Sequence, residues 1–467
     1  MIALFLIINL INLILIFYMI ICEHKHLHRV AIWLLVFALL PIIGFLIYLI
    51  LGTSVINTKK KLIKITDKSL LNKKNLRENY FSIKGNFSDI EKFNLINANS
   101  LVLNNEYVKV FSYGNEFFND LRKTLKTANN FIMIFSYIFA DDNIGKEVLK
   151  VLEKKAEEGV KVIVVYDSFG SKKNDKDFFK NLIELGAIVK EFFPPLLKNK
   201  LLQLSINYRN HRKICIIDGD ISYIGGLNIR DDHLGRDDNL KPWRDTHIKI
   251  KGNTTLVLMQ TFLDDLKLCD EKINTSLNNI TGKIYKENAI QVINSSPLES
   301  GENIEESFIK LINLSKKKII IETPYLILDD KFLNALKIAK LSGKEVVIFI
   351  PKIFDKAFVY NATLFYAQKL LDMGVEVLLY NGFIHSKCLI VDDEVFVCGS
   401  CNFDMRSFYL NFETSVIIYE NKVVKEYLKQ VNKDRENSEN LTLNYYKKLP
   451  IFKRLAIRFC SLFSPIL

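Results

Sequence analysis

His211-Arg212-Lys213-Ile214-Cys215-Ile216-Ile217-Asp218 and His385-Ser386-Lys387-Cys388-Leu389-Ile390-Val391-Asp392 are two renderings of one phrase. His, Lys and Asp stand at positions one, three and eight of each, around an apolar run that reads as a buried strand. The match continues through Gly225-Gly226-Leu227-Asn228 and Gly399-Ser400-Cys401-Asn402, always at an offset of 174 residues. Two copies of a His/Lys/Asp/Asn set in one chain predict a single site assembled from two half-sites. Phosphodiester chemistry needs such a set: one His to attack, one to move protons, and two Lys to hold a phosphate.

Working outward, the segments that precede each copy also repeat. Apolar runs over 130–139 and 161–167 read as strands, with helical periodicity over 145–158 and 175–186 closed by Gly159 and Gly186. The second half offers strands over 318–325, 345–351 and 375–380 and helices over 330–342 and 357–374. This order predicts an α/β fold with right-handed crossovers and a largely parallel sheet in each half. The fold class is thus two α/β halves, an internal repeat, packed around one shared active site and preceded by two transmembrane helices. The expected division is 1–52 membrane anchor, 53–105 basic linker and lead-in, 106–285 first half, 286–440 second half, and 441–467 tail. The first half carries an insertion beginning Phe192-Phe193-Pro194-Pro195-Leu196-Leu197-Lys198, which reads either as a lipid-touching lip or as a plain loop.

The chain has 467 residues, 49% of them hydrophobic, and a net charge of +12. Residues 1–22 and 30–51 contain no charged side chain, and each run matches the ~20 residues of a membrane-spanning helix. A signal peptide is the competing reading of the first run, but a basic start and a small-residue cleavage site are missing. Lys59, Lys60, Lys61, Lys64, Lys68, Lys73, Lys74 and Arg77 follow the second run. By the positive-inside rule they place the catalytic part on the cytoplasmic side of a multi-pass cell-membrane protein. The basic balance alone also suits nucleic acid; the two spans favour membrane over nucleic acid as partner. No residue pattern fixes the oligomeric state. Seven cysteines show no disulfide framework, and Cys398-Gly399-Ser400-Cys401 reads as packing. In the tail, Ile451, Phe452, Leu455, Ala456, Phe459, Leu462 and Phe463 fall on one helical face, with Lys453, Arg454 and Arg458 off it. That pattern fits a basic amphipathic helix lying in a membrane interface or one packed on the sheet.

With the half-sites together, one neutral His can carry the phosphoryl group covalently and the other can serve as acid and then base. Lys213 and Lys387 would bind the non-bridging oxygens, and Asn228 and Asn402 would donate to the same phosphate. Asp218 and Asp392 read as supports at the ends of the motif strands. Asp245 in Trp243-Arg244-Asp245-Thr246-His247 and Glu413 in Asn411-Phe412-Glu413 are the better candidates to orient the histidines. No metal or other cofactor is required, because the lysines supply the positive charge. His24, His26 and His28 read as an interfacial turn, and His233 and His247 stand singly.

The paired HxKxxxxD, followed by GGxN in one copy and GSxN in the other, resembles the phospholipase D superfamily. Arg209-Asn210-His211-Arg212-Lys213, the Trp243 string, and Asn402-Phe403-Asp404-Met405-Arg406-Ser407 resemble more closely its bacterial cardiolipin synthase family. The resemblance covers nearly the whole chain, with Trp33-Leu34-Leu35 and Leu40-Pro41-Ile42-Ile43-Gly44-Phe45 in the anchor and Ser464-Pro465 in the tail. It implies two phospholipase D-like halves and a catalytic set of His211, Lys213, Asp218, His385, Lys387 and Asp392. By that analogy His211 is the nucleophile and His385 the acid/base. The implied reaction joins two phosphatidylglycerol molecules into cardiolipin and glycerol through a phosphatidyl-histidine. A membrane-bound hydrolase releasing phosphatidic acid is the alternative. The chain departs from the family in carrying Phe135 where a first-half Glu is usual, with Glu322 in the comparable second-half strand, and Cys401 where a smaller residue is usual.

Overall fold

The computed structural model describes residues 2–23, 27–40, 43–44, 47–48, 81–83, 85–192, 208–270, 284–298 and 302–467. The basic flank at 59–77 and the insertion over 193–207 lie outside them.

The two halves build sheets of the same connectivity. In the first, β1 (Asn105–Phe111), β2 (Phe131–Ser136), β3 (Lys161–Asp167), β4 (Ile188–Phe192), β5 (Lys213–Ile217), β6 (Ile221–Gly225) and β7 (His247–Gly252) lie in the order β1-β7-β6-β5-β2-β3-β4. The second half supplies β8 (Ile290–Ser295), β9 (Lys318–Glu322), β10 (Glu345–Pro351), β11 (Glu376–Tyr380), β12 (Cys388–Val391), β13 (Val395–Gly399) and β14 (Asn411–Ile418). Their order, β8-β14-β13-β12-β9-β10-β11, repeats the first strand for strand. Short strands at Val102–Leu103 and Ser438–Asn440 extend the second sheet at its edges.

The expectation of a largely parallel sheet is corrected. Among the seven labelled strands of each sheet, only β2-β3-β4 and β9-β10-β11 run parallel to one another. The motif strands β5 and β12 lie antiparallel to β2 and β9 and turn at once into hairpins with β6 and β13. An apolar run carries no direction of its own, so periodicity could not separate the two arrangements.

Both motif strands are buried along their whole length, which is why they read as continuous apolar runs rather than alternating ones. Their inner faces meet in one core shared by the halves. Phe135, Ile214 and Ile216 there join Ile320, Phe349 and Ile390, with α3 (Thr254–Cys269) and α5 (Asn421–Glu436) packed among them. Between these helices in sequence, α4 (Ala357–Asp372) covers an outer face of the second sheet. Part of the lead-in also belongs to the second sheet. Asn94 Nδ2 donates to Gln291 Oε1 at 3.0 Å and Ser100 Oγ to Val292 O at 2.6 Å.

At the N-terminus, α1 (Ile2–Glu23) and α2 (Leu27–Leu39) pack through Met19, Trp33, Phe37 and Tyr48. Among the described residues no helix is long and apolar enough to cross a membrane. Of α1 only the side chains at 7 and 9–21 are described, and the 13 residues of α2 reach about 20 Å at 1.5 Å per residue. Of the second span expected over 30–51, residues 41–42, 45–46 and 49–51 lie outside the described residues. The regular helix ends before Pro41, which has no N–H and disfavours helical geometry in the residue before it. A helical bond does bridge the break, from Gly44 N to Leu40 O.

Candidate active site

The chain segment just ahead of each motif His leaves its own half and pairs with the other. Arg209–Asn210 runs parallel to the start of β14, and Trp243–Arg244 runs parallel to Phe383–Ile384. His211 N donates to Phe412 O at 2.9 Å, and His385 N donates to Arg244 O at 2.6 Å. Both histidines are thereby delivered from the inner edges of their sheets to one cavity of about 890 Å³, lined also by Asn228, Asn402 and Tyr137.

The acidic partners are exchanged in the same way. His211, of the first half, sets Nδ1 against Glu413 Oε1 at 3.1 Å and Ser400 O at 3.0 Å, both from the second half. His385, of the second half, sets Nδ1 2.6 Å from Asp245 Oδ2 of the first. Each ring is held through one nitrogen, which leaves Nε2 for substrate. Asp245 and Glu413 are fully buried. Burial alone would raise Asp245, but His385 and Lys387 outweigh it and hold it well below the usual carboxylate range. Glu413 is lowered too, against its own burial, by His211 and then Lys213.

A local detail fits each carboxylate into its place. A Cβ on Gly226 would lie 2.1 Å from Asp245 Oδ1, so only glycine admits that carboxylate. At the corresponding position of the second copy stands Ser400, whose hydroxyl donates to Glu413 Oε2 at 2.5 Å. The motif difference between GG and GS thus tracks the two carboxylates.

The lysines fold back identically, Lys213 Nζ onto His211 O at 2.6 Å and Lys387 Nζ onto His385 O at 2.5 Å. Burial pushes the Lys213 ammonium down to about 7, and Lys387 is lowered for the same reason. His211 is brought down to about 4 by burial and by Lys213, and His385 falls well below its usual value by burial and Lys387. The resting site is a pair of imidazoles held neutral beside two buried lysines, with Asp245 and Glu413 as the anions behind the rings, and it presents Lys213 and Lys387 to a phosphate diester.

Of the remaining expected residues, Asn228 lies in the cavity wall with Oδ1 accepting from Ile138 N at 3.2 Å. Asn402 lines the opposite copy, and its buried Oδ1 has no protein partner among the described residues. Asp218 and Asp392 are not brought to the site. They sit at the far ends of the motif strands, seven residues from the histidines, up to roughly 23 Å at ~3.3 Å per residue. Their backbones are left-handed, with φ of 52° and 54°. Asp218 accepts from the backbone N–H of Asn129, Asn130 and Phe131, and Asp392 from those of Lys316, Lys317 and Lys318, at 2.7–2.9 Å. Each carboxylate clamps the start of the neighbouring strand.

The sequence reading assigned no role to Tyr137, whose ring stands edge-on to His211 at 4.9 Å, or to Trp243, 5.1 Å from the His385 ring. His233, which stands singly in the sequence, lies 3.6 Å from Asp245 and 5.2 Å from the His385 ring. Only the closeness of Trp243 to Asp245 in sequence pointed to any of these three. His233, Asp245 and His385 bring ligand-type atoms within 4.8 Å of one another. Lys387 Nζ lies 3.0 Å from the same His385 nitrogen, so an ammonium already occupies the neighbourhood a cation would enter. Phe135 and Glu322 also find their explanation here. Phe135 packs on Phe192, whereas Glu322 accepts from Tyr427 OH within a buried group that includes Arg244 and Asp434.

Residues 121–243 and 308–435 match the family model described as cardiolipin synthase, PLD-like domain. The chain is 36% identical over 451 residues to a cardiolipin synthase of Listeria innocua, covering 93% of each. To cardiolipin synthase 2 of Staphylococcus epidermidis it is 36% identical, over 98% of this chain and 96% of that one. Among solved structures, phosphatidylserine synthase of Haemophilus influenzae shares the fold with a TM-score of 0.61 at 17% identity, over 82% of this chain and all of that one. The chain belongs to the cardiolipin synthase family of phospholipase D-like proteins.

Proposed function

We propose that this chain is a membrane-anchored phosphatidyltransferase that converts two phosphatidylglycerol molecules into cardiolipin and glycerol. The observation that carries the reading is the exchanged pair of His–carboxylate couples on one cavity, each completed by the opposite half. His211 Nε2 attacks phosphorus of the first lipid, forming a P–N bond as the P–O bond to the terminal glycerol breaks. His385, protonated once the phosphate anion offsets the lysines, gives its proton to the departing alkoxide. After glycerol leaves, His385 takes the proton of the second lipid's terminal hydroxyl, whose oxygen attacks phosphorus and releases neutral His211. Lys213 and Lys387 bind the non-bridging oxygens as negative charge gathers on them.

The division of labour follows from the carboxylates. Both carboxylates have further donors, Ser400 and Asn411 at Glu413 and the Thr246 N–H at Asp245, but Asp245 lies closer to its imidazole, at 2.6 Å against 3.1 Å. An imidazolium is better supported at His385, which favours it as the acid. Membrane anchoring is supported by α1, where the large apolar side chains Leu10, Ile14 and Phe17 are 60–61% exposed. On the same helix Asn12 turns inward and donates to Phe37 O at 3.2 Å, as polar groups in lipid-facing helices do. The test is product analysis: full-length protein in phosphatidylglycerol vesicles is expected to release cardiolipin and glycerol in equal amounts. Phosphatidic acid without cardiolipin would leave a hydrolase instead.

A further inference from the structure

The tail helix α6 (Ile451–Ser461) shows three faces, and one of them has no partner among the described residues. Ile457 and Cys460 are buried against α4, and Lys453 Nζ donates to Asn361 Oδ1 of α4 at 2.7 Å, so the helix is docked on the catalytic body. The adjoining face carries Phe452, Leu455, Phe459 and Leu462, which are 54–81% exposed. Helical spacing puts these four on one arc, pointing away from α4. Four large apolar side chains left uncovered on a docked helix form a patch of the kind that marks an interaction surface.

Two further observations identify what covers it. The patch continues to the mouth of the catalytic cavity. Phe459 meets Phe463 at 5.4 Å, Phe463 meets the exposed Phe358 at 5.5 Å, and the neighbouring Phe354, also exposed, lines the cavity itself. The flank of the arc is basic. Arg454 and Arg458 border it and line a cleft of about 210 Å³ together with Lys447, with Asp372 the one acid there. An apolar arc bordered by cations on a helix parallel to a surface is the arrangement that inserts into an anionic lipid interface.

We propose that α6, with Phe354 and Phe358, is a docking surface for an anionic phospholipid bilayer. It holds the mouth of the catalytic cavity against the lipid, independently of the N-terminal helices. The proposal deepens the phosphatidyltransferase reading, on which its choice of a bilayer rests. Lipid then passes from the bilayer to His211 and His385 along an apolar path without crossing bulk water. The basic cleft beside α6 takes headgroup phosphates of surrounding lipids rather than reacting ones.

The test uses the full-length chain in vesicles of phosphatidylglycerol and phosphatidylcholine. A fluorophore attached through Phe452→Cys is expected to be quenched by lipids carrying nitroxide on the acyl chain and protected from aqueous iodide, with the unsubstituted chain treated identically as the blank. In parallel, the exposed pair Phe452→Glu with Leu455→Glu is expected to raise KM for vesicle phosphatidylglycerol about tenfold or more, since each apolar side chain inserted changes partition by about that factor. Turnover of a short-chain, monomeric phosphatidylglycerol should stay unchanged. Iodide quenching without nitroxide quenching, or an unchanged vesicle KM, would overturn the proposal. So would protection from both quenchers with a dimer that the Glu variant dissolves, which would assign the face to a second copy of the chain. Quenching of the Phe452→Cys probe by lipid, with no cardiolipin made by the unsubstituted chain, would instead defeat the phosphatidyltransferase reading and leave the docking surface standing.

Discussion

At the scale of single residues, the site works by keeping two imidazoles neutral while cations wait beside them. Lys213, brought down to about 7 by burial, is charged below that pH and loses its proton above it. His211, at about 4, is neutral and able to attack above that pH. In the free enzyme, kcat/KM is therefore expected to rise through about pH 4 and fall through about pH 7. A rate profile flat to pH 9 would remove Lys213 from phosphate binding. Asp245→Asn keeps the shape of the carboxylate but not its charge, so the His385 imidazolium loses its support. The expected loss in kcat is about 10²–10⁴-fold, the range of a misplaced general acid. A change in KM alone would mean that Asp245 only shapes the cavity.

At the scale of elements, the motif does two separable jobs at the two ends of one strand. Its His end reaches the cavity, and its Asp end clamps the strand beside it through three backbone N–H groups. Asp218→Ala is accordingly expected to lower stability by roughly 2 kcal/mol, for hydrogen bonds to a charged group that are partly regained from water. The folded fraction should keep its turnover within about twofold. Thermal unfolding alongside specific activity checks this; loss of activity with an unchanged Tm would make Asp218 catalytic after all. The motif strands, most helices before them and the 174-residue repeat were legible because each is local and apolar, whereas the helix expected over 175–186 is only Lys180–Glu184. The direction of the motif strands was not, since Ile214, Cys215, Ile216 and Ile217 read alike from either end. Nor was the exchange of carboxylates. Asp245 and Glu413 were recognisable as acids near the motifs, but which histidine each serves depends on pairings such as Arg209 with Asn411, made across about 200 residues.

At the scale of the whole molecule, neither half holds a complete site. The first half owns His211 but takes Glu413 and the Ser400 carbonyl from the second; the second owns His385 but takes Asp245 from the first. The shared core between the sheets keeps these exchanged contacts in register. An internal repeat has thus become one catalytic unit whose equal halves have unequal duties. The account predicts that both His211→Ala and His385→Ala abolish cardiolipin formation, but for different reasons. Without His385 the leaving glycerol still departs slowly, while the second lipid lacks a base to deprotonate it. The most direct measurement is therefore mass spectrometry of peptides from His385→Ala protein incubated with phosphatidylglycerol vesicles. A phosphatidyl adduct on the peptide bearing His211 is the predicted result. An adduct on any other residue, or sustained cardiolipin synthesis by His211→Ala, would contradict it.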